Sequence, residues 1–86
     1  MSPSREVPLA QREADEEQAR IMADAASAAY VEARASGDPA RVAAADVALA
    51  EAVAAHRRAS RRLEDTVKRL KARAGVIDRT EASWEA

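Results

Sequence analysis

Ala35-Ser36-Gly37-Asp38-Pro39-Ala40 decides the fold of this 86-residue chain. Gly37 suits the left-handed position just past a helix end, because without a Cβ it enters positive φ at no steric cost. Asp38 can accept a hydrogen bond from the first turn of a following helix, and Pro39 suits a first helical residue, whose N–H would go unused anyway. A connection this short permits only an antiparallel return. The stretch therefore predicts an all-α helical hairpin.

Outward on both sides the composition favours helix. Of the 48% hydrophobic residues, 24 are alanine, the strongest helix former, while Gly and Pro together number only five. Phe is absent and Trp and Tyr occur once each. So few large apolar side chains cannot fill a thick core, and closely packed rods fit better. Arg outnumbers Lys by 12 to 2, a pattern that GC-rich coding also produces. That coding would raise Gly and Pro too, so their scarcity points to unbroken helices.

Toward the N-terminus, helix one should run from about 8 to 36, with Pro8 in its first turn and residues 1–7 forming a flexible arm. Toward the C-terminus, helix two should run from about 39 to 74, a rod of ~54 Å at ~1.5 Å per residue. Gly75 should end it, leaving residues 76–86 as a tail in which Asp78 and Glu81 approximate a capping box for one short turn.

The apolar positions of helix two alternate by four and three through Val42, Asp46, Leu49, Val53, His56, Ser60, Leu63, Val67, Leu70, Ala74 and Ile77. That is a coiled-coil seam, with Asp46, His56 and Ser60 as polar residues that fix register. In helix one, Ala14, Gln18, Ile21, Met22, Ala25, Ala29 and Ala33 form a stripe that Ala19, Ala23, Ala26 and Tyr30 widen. This arc covers more of the circumference than one partner helix needs. The expectation is self-association, with a dimer of hairpins completing a four-helix bundle, or docking onto a larger partner. Ile21, Met22, Tyr30 and Trp84 are the candidate interface residues.

Candidate chemistry is sparse. Without cysteine, disulfides, thiolate metal sites and Cys nucleophiles are excluded. His56 is the one histidine, and Val53, Ala52, Ala59 and Ser60 three and four residues away offer no second metal ligand. Pairing about the turn sets it opposite Glu17, Gln18 and Ala19, where a hydrogen bond across the hairpin would fix register. The same pairing suggests a bond between Asp46 and the Tyr30 hydroxyl. Phosphate-loop and dinucleotide fingerprints are absent. No catalytic, metal or cofactor site is expected, and no enzyme.

Charge is segregated along the chain. Residues 57–73 hold eight cations against Glu64 and Asp65, a net +6, whereas residues 1–36 carry −3. Arg58, Arg61, Arg62, Lys68 and Arg69 fall away from the seam, as contacts to nucleic acid or to an acidic partner would require. In competition, the hairpin brings Arg57, Arg58, Arg61 and Arg62 alongside Glu13, Asp15, Glu16 and Glu17, which could neutralise them. The longest uncharged helical stretch, Ala25 to Val31, falls far short of the ~20 residues of a membrane span. The start of the chain has no apolar signal-peptide core. These features give a cytoplasmic, alanine-rich interaction or assembly module as the expected function, with a nucleic-acid-binding accessory protein as the alternative.

Overall fold

The computed structural model describes residues 8–85, and the side chains of residues 8–75. It is a hairpin of two helices, α1 (Leu9–Ser36) and α2 (Pro39–Glu85). The expected arm at residues 1–7 lies outside the described residues.

At the start of α1, the carbonyl of Pro8 accepts hydrogen bonds from the N–H groups of Gln11 at 3.0 Å and Arg12 at 3.2 Å. Pro8 thus caps the helix through its backbone. The turn has the conformation its residues require. Gly37 sits at φ 71°, ψ 8°, and its N–H reaches the Arg34 carbonyl at 3.2 Å. The Ser36 hydroxyl donates to the Ala33 carbonyl at 2.6 Å and accepts from Asp38 N–H at 3.3 Å. Asp38 Oδ1 accepts from Ala40 N–H at 3.0 Å, so the orphan donors at the start of α2 are partly satisfied by the residue expected to cap it.

Gly75 does not end α2, which continues to Glu85. A helical glycine costs only about 1 kcal/mol relative to alanine, and no proline follows it to forbid continuation. Because α1 has 28 residues and α2 has 47, the second helix outruns the first.

The seam also differs from the expected one. On α1 the half-buried and buried positions are Leu9, Arg12, Glu16, Ala19, Ala23, Ala26, Tyr30 and Ala33, in an unbroken alternation of three and four. On α2 the matching set is Val42, Ala45, Leu49, Ala52, His56, Ala59, Leu63 and Thr66, with Val53, Ser60 and Val67 half-buried beside it. Asp46, Leu70 and Ala74, expected in the seam, are exposed, and the side chain of Ile77 lies outside the described residues. Of the expected α1 stripe only Ala33 is buried; Ala14, Gln18, Ile21, Met22, Ala25 and Ala29 face solvent. The physical reason is size. Alanines on both helices let the backbones approach closely, and that geometry turns the bulkier Ile21 and Met22 outward.

The two sets are mirror-spaced about the turn, with Ala33 and Val42 nearest it and Leu9 level with Thr66 at the open end. Residues 67–85 therefore extend α2 by roughly 28 Å past the start of α1. The hairpin is one helix layer deep, with principal extents of 66 × 40 × 14 Å. Burial is correspondingly slight. Among the described residues only Ala33, at 4% exposure, and Ala59, at 7%, are buried.

Candidate functional site

The most specific side-chain contact across the hairpin is made by His56. Its Nε2 lies 2.7 Å from Glu16 Oε2, and Ser60 Oγ approaches the same nitrogen at 3.4 Å. His56 and Ser60 are both half-buried. The partner, however, is Glu16 rather than the expected Glu17, Gln18 or Ala19. It follows from the seam, since Glu16 belongs to the α1 face turned toward α2 and Glu17 does not. A Ser-His-acid relay needs the hydroxyl and the carboxylate on different ring nitrogens. Here both converge on Nε2, so the imidazole cannot give a proton to Glu16 and take one from Ser60 through that atom. The constellation ties the helices together.

Arg12 occupies the same α1 face one turn earlier, and its Nε is buried without a hydrogen-bond partner. An unsatisfied buried donor costs on the order of 1–3 kcal/mol. Neither Arg12 nor Glu16 stands out in the sequence as a seam residue, because charged side chains interrupt a hydrophobic count. The signal they do carry is the regular three-four spacing that continues through them.

Asp46 and Tyr30 come together only loosely. Both line a hollow of about 410 Å³ beside the turn, with Arg34, Gly37, Pro39, Val42 and Ala43. No hydrogen bond joins them among the described residues, since Asp46 projects outward from the seam while Tyr30 lies half-buried in it.

Large apolar side chains stand outside the seam. Ile21 is 52% exposed, Met22 58%, Val31 64%, Val47 59% and Leu70 40%. Met22 also borders a second hollow, of about 230 Å³, lined by Asp15, Gln18 and Ala19 of α1 and by Ala52 and Ala55 of α2. At 100° per residue, Ala25 and Ala29 of α1 and Ala44 and Ala48 of α2 extend this side of the hairpin. All four are exposed. The result is a smooth alanine-rich face with one notch in it. The Trp84 side chain, the remaining interface candidate, lies outside the described residues.

The cations of residues 57–71 form no ion pair with α1 among the described residues. Arg57, Arg58, Arg61, Arg62, Lys68, Arg69 and Lys71 are all exposed. Across the hairpin, His56 Nε2 meets Glu16 Oε2 at 2.7 Å. Of the acids expected to answer the arginines, Glu16 is engaged by His56 and Asp15 accepts a hydrogen bond from Gln11 Nε2 at 2.8 Å. The arginines point away from α1, since they occupy the back of α2.

No three His, Asp or Glu side chains among the described residues gather closely enough to hold a metal ion. No described helix is long and apolar enough to cross a membrane. Compared with protein-family models, curated proteins and solved structures, the chain matches none of them.

Proposed function

We propose that this chain is a small, non-catalytic, cytoplasmic assembly module that works through protein–protein contacts, pairing with a second copy of itself to complete an antiparallel four-helix bundle. One observation carries the reading: Ala33 and Ala59 are the only buried residues among those described, while Ile21, Met22, Val31, Val47 and Leu70 stand exposed. Two alanines bury too little apolar surface to offset the entropy of ordering so long a chain. A second layer of helices supplies what the hairpin lacks.

Surface area agrees with this. The chain exposes 6748 Å², against about 4900 Å² for a compact monomer of its mass. A standard protein–protein interface removes about 800 Å² from each partner. The face around Met22, Ala25, Ala29, Ala44, Ala48 and Ala55 supports the reading further. Its small side chains permit close helix approach, and its notch can receive a side chain from the other copy.

Size-exclusion chromatography with light scattering tests the proposal. At tens of micromolar the full chain should elute as a dimer, and Met22→Lys should shift it toward monomer. A stable, fully helical monomer at those concentrations overturns it.

A further inference from the structure

The back of α2 carries a second arrangement of residues, C-terminal to the alanines of the assembly face. Arg57, Arg61 and Lys68 are separated by four and seven residues, and Arg58, Arg62 and Arg69 repeat the same spacing one residue later. At 100° per residue, steps of four and seven nearly restore the starting angle, so each set forms a row along the helix. The rows lie about 100° apart and straddle the line opposite the seam through His56, Ala59 and Leu63. Each runs for roughly 16 Å. Every one of these six cations is exposed and has no ion pair among the described residues.

Two parallel cationic rows on one helix match the dimensions of duplex DNA. An α-helix about 10–12 Å across fits a major groove about 12 Å wide, and rows on its two flanks then face the phosphates of opposite strands. The overhang helps. From Val67 onward α2 has no α1 beside it, so among the described residues Lys68 and Arg69 stand on a single projecting helix that a groove can admit. Duplex RNA offers no such entry, because its major groove is deep and narrow. Single strands are bound by stacking on aromatic rings, and residues 57–71 contain none.

We infer that the back of α2 is a double-stranded DNA-binding surface, in which the rows Arg57/Arg61/Lys68 and Arg58/Arg62/Arg69 contact phosphates on the two walls of the major groove. Between the rows stand Ala54, Asp65 and Ala72, and no Arg, Asn or Gln able to read base edges. Binding is therefore electrostatic and indifferent to sequence. It does not depend on the assembly reading: a monomeric hairpin presents the same two rows.

Fluorescence anisotropy of a labelled duplex of about 20 base pairs, two helical turns, tests this with the full-length chain. With four to six phosphate contacts, affinity should fall roughly 10²–10³-fold between 50 and 200 mM salt. The triple variant Arg58→Ala, Arg62→Ala, Arg69→Ala should weaken binding at the lower salt by at least about tenfold and flatten the salt dependence by two to three contacts. Arg20→Ala, on α1, should stay within about twofold, since it removes a cation outside the rows. Circular dichroism should report unchanged helicity in both variants, as the substituted side chains are exposed. The inference is overturned by no saturable binding at about 100 µM protein in the lower salt, or by a triple variant that binds like the parent. Phosphatidylserine vesicles and poly-glutamate bound as tightly as the duplex would also overturn it.

Discussion

Two glycines illustrate how little a residue type means without its backbone conformation. Gly37 has φ 71°, and a Cβ placed there meets nothing within 4 Å. Replacing it with alanine thus costs only the left-handed backbone strain, about 1 kcal/mol. Gly75 also has open space where a Cβ would stand but no positive φ, and it lies within α2. Alanine there should gain about 0.5–1 kcal/mol from helix propensity and reduced freedom of the unfolded chain. Urea denaturation followed by circular dichroism should place Gly37→Ala below the parent and Gly75→Ala above it. Opposite signs from the same substitution would separate the true turn from the apparent one. Equal signs would mean that one of the two backbone assignments fails. The Ser36 and Asp38 hydrogen bonds at the turn are legible from residue type alone, because both bonds are local and span two or three residues.

At the scale of the helices, close packing through alanine governs which faces meet. Large apolar residues mark a seam when space between helices must be filled, and that rule selects Val42, Leu49 and Leu63 correctly as half-buried. It fails on α1, where Ile21 and Met22 draw attention to the outward face. The seam there is built from Ala19, Ala23, Ala26 and Ala33, with Arg12 and Glu16 continuing it. Alanine is ambiguous in sequence, since it serves equally as helix former and as packing residue. Only the partner helix resolves which alanines are used. Enlarging a buried alanine should therefore be costly: Ala59→Leu, at a position 7% exposed, should lower stability by about 1–3 kcal/mol through overpacking. Ala50→Leu, on the exposed back of the same helix, should change it by less than about 0.5 kcal/mol. Thermal melts of the two variants at one concentration check the contrast.

For the molecule as a whole, thinness is the governing property. A two-helix layer with two buried alanines has almost no interior, so its stability should be linked to its association. Binding that occurs only in the folded state raises the melting temperature with concentration. Melting followed at protein concentrations spanning about two decades should show a rising midpoint, and RT ln 100, about 2.7 kcal/mol, sets the scale of the effect. A midpoint independent of concentration would describe a self-sufficient hairpin. Salt adds a second handle. Apolar association persists as salt rises, whereas phosphate contacts weaken steeply, so the assembly face and the back of α2 can be measured separately in one chain.

The sequence by itself determined the hairpin, its turn and the segregation of charge, because helix propensity, capping chemistry and net charge are local properties that residue types carry with them. It also exposed the excess of apolar surface on α1, which is a matter of counting. The tertiary structure decided the rotation of each helix about its axis, the choice of Glu16 as the partner of His56 and the exposure of Arg57, Arg58, Arg61, Arg62 and Arg69 away from the seam. Each of these depends on which faces approach most closely. That choice is made by the fit of small side chains on one helix against larger ones on the other, and neither helix contains it alone.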